Sequence, residues 1–200
     1  TVIYYVTDRK QQSQYINLFR EENKNAFVLT HSIDQPFISS LEMGDDNVKF
    51  QRIDAQVTED FVEEMSEDEI KEKKDALTEI FKKALGKENL DVRVEKMKNE
   101  KIASMITMSE ETRRMQDMMK MYAMNGMGAM GDFGGETLVL NVANPLVQYV
   151  ESHKDGDKTD LFCKQLYDLA MISHKPLEPE EMTEFVMRSN EIMELLAKEK

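Results

Sequence analysis

Three patterns in the sequence contain residue types that carry chemistry in other proteins. The first is the stretch at 126–131, which reads Gly-Met-Gly-Ala-Met-Gly and matches the dinucleotide fingerprint G-x-G-x-x-G. In that fingerprint a strand precedes the glycines and a helix follows them, so that the pyrophosphate meets a helix N-terminus. Here a predicted helix precedes the glycines and a predicted strand follows them. The sequence therefore does not predict a nucleotide site.

The second pattern consists of residues that could bind a metal ion. They are the acidic turn at 155–160, the single cysteine and the three histidines. The glycine and acids of the turn are out of step with the twelve-residue calcium loop, and the closing glutamate is absent. Cys163 is the single cysteine and the three histidines are scattered, so they cannot build a structural zinc site. No serine or cysteine lies in a recognisable nucleophile elbow. We predict no catalytic residue, no metal site and no enzymatic activity in this chain.

The third pattern is an excess of methionine, with 16 methionines and no tryptophan. Nine of them lie between Met105 and Met130. On a helix, one stripe contains Met115, Met118, Met119 and Tyr122, whereas Met121 and Met124 fall outside it. Two interpretations are open. The methionines form a self-packed core, or they form an exposed, adaptable surface that accepts partners of many shapes.

The end of the chain predicts two helices, at 159–173 and 179–199, with wide apolar faces. A helix hairpin that cannot cover its own apolar faces can pair with a second copy to form a four-helix bundle. The residues that we assign to such a dimer interface are Leu166, Leu169, Ile172, Phe185, Ile192, Leu195 and Leu196. The alternative, in which the two helices cover only their own sheet, fits the periodicity equally well.

Residues 1–56 are predicted to form a small α/β unit, the first of the elements that position these segments. Short apolar strands alternate with helices, which predicts parallel pairing in a three-layer αβα arrangement. In the second helix, at 33–42, we expect Ser32 to cap the N-terminus and Ile38 and Leu41 to face inward. One alternative function belongs to this unit: a small-ligand site at the carboxyl ends of the strands, near Thr7 and His31.

From residue 57 onward the composition becomes acidic, which predicts a domain boundary between 1–56 and 57–200. Ser66 opens a capping box, and Gly86 stops the long amphipathic helix that follows. Apolar runs near 90–94, 103–108 and 137–142 predict a small antiparallel sheet. The predicted fold class is therefore α/β plus α+β, with the second, small-sheet domain ending in the dimerising helix pair.

Charge and hydropathy exclude several classes of partner. The chain has 26 basic and 39 acidic side chains, a net charge of −13, so a nucleic acid would be repelled over most of the surface. Its apolar runs are far shorter than the roughly 20 residues that a membrane span requires. We therefore expect a cytoplasmic protein without a nucleic-acid or membrane partner.

The order of these segments resembles a known family. Residues 3–7 (Ile-Tyr-Tyr-Val-Thr), 26–30 (Ala-Phe-Val-Leu-Thr), 33–37 (Ile-Asp-Gln-Pro-Phe) and 48–50 (Val-Lys-Phe) resemble the end of the middle domain of the ninety-kilodalton heat-shock chaperones. The similarity covers essentially the whole chain and is strongest to the bacterial members of that family.

The second half resembles the C-terminal dimerisation domain of the same family. Residues 90–94 (Leu-Asp-Val-Arg-Val) and the methionine segment at 115–124 have counterparts there. The stretch at 140–147 (Leu-Asn-Val-Ala-Asn-Pro-Leu-Val) stands where the family has Leu-Asn-Pro-Asp-His-x-Leu-Val. Ala-Asn in place of Asp-His and the glycine-rich loop at 126–135 depart from the family pattern.

The resemblance implies a chaperone fragment that forms a homodimer and binds partly unfolded client proteins. The client-binding helix of the family maps onto Met115, Met118, Met119, Met121, Tyr122 and Met124. The family's ATPase, with ATP and magnesium, would lie in an N-terminal domain, so no cofactor is expected in this fragment. Two alternatives are a structural dimerisation scaffold with a buried methionine core and the small-ligand-binding α/β domain described above.

Overall fold

The computed structural model describes residues 1–55, 61–124 and 135–198, which belong to two compact units. The first unit comprises Thr1–Asp60 with Thr107–Glu136, and the second comprises Phe61–Ile106 with Thr137–Lys200. The methionine segment thus groups with the first strands of the chain. The division into domains at 1–56 and 57–200 stays a prediction.

The first unit contains a three-stranded sheet. Its strands, with β1 in the middle, are β1 (Val2–Val6), β2 (Phe27–Val28) and β3 (Lys49–Arg52). Both pairs are parallel, with Tyr5 opposite Phe27 on one side and Arg52 on the other. This confirms the predicted parallel sheet, since a helical connection returns each strand to the same end of the sheet.

Two helices connect these strands, α1 (Ser13–Glu21) and α2 (Asp34–Gly44). The Tyr4 ring packs edge-on against Phe19 of α1, with 5.0 Å between the ring centroids. Tyr5 lies in a buried cluster with Ile38 of α2 and Phe50 of β3. Because adjacent strand residues point to opposite faces of a sheet, α1 and α2 contact opposite faces.

Helix α2 differs from the prediction in two details. Ser32 is not its N-cap; instead the Asp34 carboxylate accepts a hydrogen bond from the backbone N–H of His31 at 2.8 Å. Ile38 is buried as predicted, but Leu41 is exposed. Three short strands offer only a narrow apolar surface, and Ile38 is the α2 residue that is buried there.

The second unit contains a four-stranded sheet of order β4-β5-β7-β6. Its strands are β4 (Val62–Glu63), β5 (Asp91–Met97), β6 (Ser104–Met108) and β7 (Glu136–Asn141). The prediction of an antiparallel sheet is wrong for the central pair, because β5 and β7 run parallel, with Val92 opposite Leu138. The short strand β4 is antiparallel to β5. The long connection between β5 and β7 supplies the crossover that a parallel pair requires.

Helix α3 (Glu67–Leu85) begins and ends where the sequence predicts. The Ser66 hydroxyl oxygen accepts a hydrogen bond from the Glu69 backbone N–H at 3.3 Å, and Gly86 ends the helix in the left-handed region at φ 64°. One face of α3 is buried in the core of the second unit, which also contains residues from the sheet and from the helices that follow it. Its fully buried members include Leu77, Phe81, Val92, Leu138, Leu140, Val147, Val150 and Cys163.

Asn141 at the end of β7 is a fully buried polar side chain that holds the neighbouring loop in place. Its Oδ1 accepts hydrogen bonds from the backbone N–H groups of Met97 at 2.9 Å and Ala143 at 3.1 Å. Its Nδ2 donates to the carbonyl oxygens of Asn99 at 3.1 Å and Ile102 at 2.7 Å. One buried amide therefore makes hydrogen bonds to four backbone groups of this loop and the adjacent strand.

Three helices complete the second unit: α5 (Pro145–Ser152), α6 (Asp157–Ile172) and α7 (Pro179–Lys198). Helix α5 is absent from the sequence prediction, although Asn144 as N-cap and Pro145 in the first turn are typical start signals. Within the described ranges, the chain forms seven helices in all. None of these helices is both long enough and apolar enough to cross a membrane.

Replacing Asn141 by alanine is expected to destabilise the chain by about 3 kcal/mol, because four backbone groups lose a hydrogen bond to its buried amide. Urea denaturation followed by circular dichroism measures the change in the free energy of unfolding. Asn190→Ala, an exposed change on α7, serves as the control and should stay within about 0.5 kcal/mol of the parent chain. Equal stabilities of the two variants would contradict the role of Asn141.

Candidate functional site

Helix α4 (Glu110–Met124) carries most of the clustered methionines and is attached to the first unit through its first residue. The Glu110 carboxylate accepts hydrogen bonds from the Tyr5 hydroxyl at 2.7 Å, from Arg113 at 2.5 Å and from Arg114 at 3.0 Å. It also accepts a bond from the backbone N–H of Arg52 in β3 at 3.3 Å. One carboxylate thus joins α4 to β1 and β3.

Arg114 extends this attachment to α2. Its guanidinium donates two hydrogen bonds to the Glu42 carboxylate, at 2.6 and 3.1 Å, and a third to the Phe50 carbonyl oxygen at 3.2 Å. Glu42 in turn accepts a bond from the Phe50 backbone N–H at 2.6 Å. Tyr5, Glu42, Glu110, Arg113 and Arg114 are called the Glu110 network below.

The charges in the Glu110 network stabilise one another. Burial opposes ionisation of Glu110, but hydrogen bonds from Arg113, Tyr5 and Arg114 lower the pKa of its carboxyl group to about 2. Burial raises the pKa of the Tyr5 hydroxyl to about 12. The pKa of Glu42 is also lowered: burial opposes this, and the hydrogen bonds from Arg114 and Phe50 outweigh it. Both carboxylates are therefore ionised, and the tyrosine is a neutral donor, at neutral pH.

The local sequence explains why α4 begins at Glu110. The Ser109 hydroxyl oxygen accepts a hydrogen bond from the backbone N–H of Thr112 at 3.2 Å, as an N-capping serine does. Glu110 and Glu111 place negative charge in the first turn, where the helix dipole favours it. Gly135 also lies against this turn, at φ 86°, and a Cβ there would come within 2.5 Å of the Thr112 side chain.

The structure exposes the first methionines of α4. Met115 and Met118 have 46% and 52% of their surface exposed, and Met119 is partly buried. Arg113 is buried instead, so the attached side of the helix is charged rather than apolar. The side chains of Met121, Tyr122 and Met124, also predicted to bind clients, lie outside the described residues.

A second apolar surface lies in the other unit, where α5, α6 and α7 enclose a groove of about 570 Å³, called the terminal groove below. Its apolar lining comprises Leu146, Tyr149, Leu161, Phe162, Leu166, Leu169, Ile192, Met193, Leu195 and Leu196. Five of the seven predicted dimer residues therefore lie together: Leu166, Leu169, Ile192, Leu195 and Leu196. Ile172 and Phe185 are partly buried and do not line it.

Polar contacts hold α7 against α6 along one side. Arg188 donates to the Asp168 carboxylate at 2.5 Å and to the Gln165 side-chain oxygen at 3.3 Å. Gln165 donates to the Ser189 hydroxyl oxygen at 3.0 Å. Burial raises the pKa of Asp168, although the Arg188 charge opposes this. These contacts set the position of α7, so that its large apolar side chains remain available on the groove side.

The structure describes most of the residues that we considered as candidates for metal binding or catalysis. In the described ranges, no group of three histidine, cysteine or carboxylate side chains could hold a metal ion. Cys163 is fully buried and burial raises the pKa of its thiol to about 12, so it does not supply a thiolate nucleophile at neutral pH. The glycine pattern at 126–131 lies outside the described residues.

Sequence reasoning missed the residues that position both surfaces. The Glu110 network was not predicted, although Glu110, Arg113 and Arg114 have the i, i+3, i+4 spacing of side chains that meet on a helix. Leu146 and Tyr149 were missed with α5. The capping signal at Asn144 would have placed these two residues on a helix beside α6.

The comparison with protein families identifies one match over nearly the whole chain. The family model for Hsp90 protein matches residues 1–199. The chain is also 28% identical over 162 residues to the chaperone protein HtpG of Bacteroides thetaiotaomicron. It is 29% identical over 163 residues to that of Bacteroides fragilis, and 27% identical over 159 residues to that of Porphyromonas gingivalis.

These alignments cover most of this chain but little of each relative. They include 78%, 78% and 76% of the chain, and 24%, 24% and 23% of the respective relatives. The chain therefore spans about a quarter of the length of the curated relatives that it matches.

The ionised Glu110 carboxylate is expected to stabilise the chain in a pH-dependent way. Because its pKa is about 2 in the folded chain against 4.5 ordinarily, its contribution is fully present above about pH 4.5. It is lost as the pH falls towards 2. Glu110→Gln should lower the free energy of unfolding by about 2 to 3 kcal/mol at pH 7, and by progressively less between pH 4.5 and 3.

Urea titrations between pH 3 and 7 measure this difference. The matched control is Glu111→Gln, which removes an exposed carboxylate from the same turn and should change the stability by less than about 0.5 kcal/mol throughout. A Glu110→Gln effect that is independent of pH would show that the carboxylate charge is not what attaches α4.

Proposed function

The chain belongs to the Hsp90 protein family, and on that premise we propose that it is a chaperone segment with two binding surfaces. The terminal groove, which includes one side of α7, forms the contact with a second copy of the chain. The exposed methionines of α4 form a surface for partly unfolded client proteins. The mechanism is the presentation of apolar surface, without catalysis in this segment.

The observation that carries the proposal is that α7 has no buried residue although it is 20 residues long and rich in large apolar side chains. Its exposed side chains include Met193 and Leu196, which line the terminal groove together with the exposed Leu169 of α6. A soluble chain rarely leaves such a continuous apolar surface in water unless a partner covers it. The helix hairpin of a second copy offers the same apolar surface, which supports a four-helix contact.

The second surface uses the physical properties of methionine. Its unbranched, polarisable side chain adapts to partners of different shape. Burying one partly exposed methionine contributes on the order of 1 kcal/mol, so Met115 and Met118 alone would bind a client weakly. Self-association increases the effective affinity, because two such surfaces then contact one client.

The nucleotide chemistry of the family is assigned to residues outside this chain. We expect ATP, magnesium and the ATPase activity in another part of the full-length protein. Among the described residues, the only cysteine is buried and no metal cluster is found. We assign association and client binding to the residues of this chain.

A dimerising scaffold without client binding is the second candidate. Four methionines support it, because Met97, Met105, Met108 and Met171 are buried. In that case the methionine excess reflects packing. The client-binding experiment below separates the two candidates.

Self-association is expected to depend on the terminal groove. The 200-residue chain should sediment at twice its mass of 23.3 kDa, and the double variant Met193→Asp with Leu196→Asp should sediment as a monomer. Two carboxylates in an apolar contact would each cost several kcal/mol. Sedimentation equilibrium gives the masses, and circular dichroism checks that the variant is folded.

The matched control is Met187→Asp. Met187 is 68% exposed on the same helix, similar to Leu196 at 65%, but it does not line the terminal groove. It should remain dimeric. A parent chain that is monomeric at micromolar concentration, or a Met187→Asp variant that dissociates equally, would count against the terminal groove as the contact.

Client binding is expected to depend on the exposed methionines of α4. Met115→Ser with Met118→Ser removes apolar surface from solvent-exposed positions and should roughly halve the suppression of aggregation of a denatured model protein, since other contacts persist. Light scattering at increasing chaperone concentration measures the suppression.

The control for this experiment is Met43→Ser with Met187→Ser, which removes two methionines elsewhere that are more exposed, at 81% and 68%. It should behave like the parent chain. If both double variants suppress aggregation as well as the parent does, α4 is not the client surface and the scaffold interpretation is favoured.

A further inference from the structure

A cavity of about 410 Å³ lies in the first unit beside α1. Its apolar floor is formed by Val6, Phe19 and Ile53, each of which is buried in the unit. Three basic side chains, Arg9, Arg20 and Lys24, line the same cavity. The volume is in the range of pockets that hold small ligands.

The charge of this cavity contrasts with the rest of the chain. The net charge is −13, with 39 acidic residues, yet among the described residues that line the cavity none is acidic. Arg9 and Arg20 are exposed, and neither forms an ion pair within the described part of the chain. Two neighbouring guanidinium groups, Arg9 and Arg20, without an internal counter-charge favour an anion from outside.

The end of α1 holds the third cation in place. Asn23 adopts a left-handed conformation, at φ 52°, and the Lys24 backbone N–H donates to the Phe19 carbonyl oxygen at 2.8 Å. The Lys24 ammonium lies 5.7 Å from the centroid of the Tyr4 ring. The turn that follows α1 therefore brings Lys24 and Asn25 to the cavity, which both residues line.

We propose that this cavity binds a small organic anion, a carboxylate or a phosphate that carries an apolar group. The guanidinium groups of Arg9 and Arg20 match the planar, two-oxygen geometry of such anions. The floor of Val6, Phe19 and Ile53 accepts the apolar group. The site is independent of the terminal groove and of the α4 methionines, and its function is binding rather than catalysis.

Four probes test this site on the 200-residue chain: hexanoate, hexyl phosphate, hexanol and inorganic phosphate. Amide chemical shifts in NMR spectra, recorded during titration, give the affinity and the location. Hexanoate or hexyl phosphate should bind and shift the amides of residues 9–28, and the tighter of the two identifies the anionic group. Hexanol and inorganic phosphate should each bind at least about tenfold more weakly, because each lacks one half of the interaction.

The variant is Arg9→Gln with Arg20→Gln, which should weaken binding of the organic anion at least about tenfold by removing charge-assisted hydrogen bonds. Both side chains are exposed, so the fold is retained, and circular dichroism verifies it. The matched control is Lys10→Gln with Lys71→Gln, which removes the same charge from exposed positions outside the cavity and should change the affinity less than about twofold.

Three results would overturn the proposal. Neither organic anion binds the parent chain; hexanol binds as tightly as the anions; or the lysine control loses as much affinity as the arginine variant. The last result would mean that overall charge, and not this cavity, attracts the anion.

Discussion

The Glu110 carboxylate is the interaction on which the position of the methionine helix depends. It is ionised, largely removed from water, and bound by Tyr5, Arg113 and Arg114. A buried charge of this kind is tolerated only while its partners remain, since removing one leaves an uncompensated charge. The network therefore fixes where α4 begins on the sheet. Met115 follows Arg113 by two residues, and side chains at that spacing do not share a helix face, so attachment through arginine leaves methionine exposed.

Periodicity predicted the elements whose apolar residues face one consistent surface. Helix α3 has both its capping signals and a regular buried face, and the central strand β1 of the first unit is a continuous apolar run. Periodicity failed where an element has too few residues to show a pattern, and where the structure depends on which strand pairs with which. The two residues of β4 lie among acids, and the parallel pairing of β5 with β7 depends on the path of the chain between them. Leu41 has the correct spacing, but three strands provide too little surface to bury it.

In the candidate site, too, the sequence supplies the charged residues but does not determine which of them come into contact. With 39 acidic and 26 basic residues, many carboxylate and guanidinium pairs are compatible with the sequence, and only the fold selects the contact between Glu42 and Arg114. The terminal helices show that periodicity also fails to determine which apolar residues are buried. Leu166 and Leu196 belong to the apolar faces predicted from periodicity, yet Leu166 is 2% exposed and Leu196 is 65% exposed. A hydrophobic stripe cannot by itself distinguish the core of a chain from the surface that it offers to a partner.

The methionines connect these observations, because one residue type occupies two different environments. Met97 and Met105 are buried on the strands of the second unit, where a flexible side chain fills space between branched neighbours. Met115 and Met118 take no part in the polar contacts of the Glu110 network that attach their helix, so their removal should leave that attachment intact. A packing role requires buried methionines, and adaptable binding requires exposed ones held on a rigid support. The Glu110 network supplies that support, so the position of α4 is maintained without using its apolar surface, which remains available for a partner.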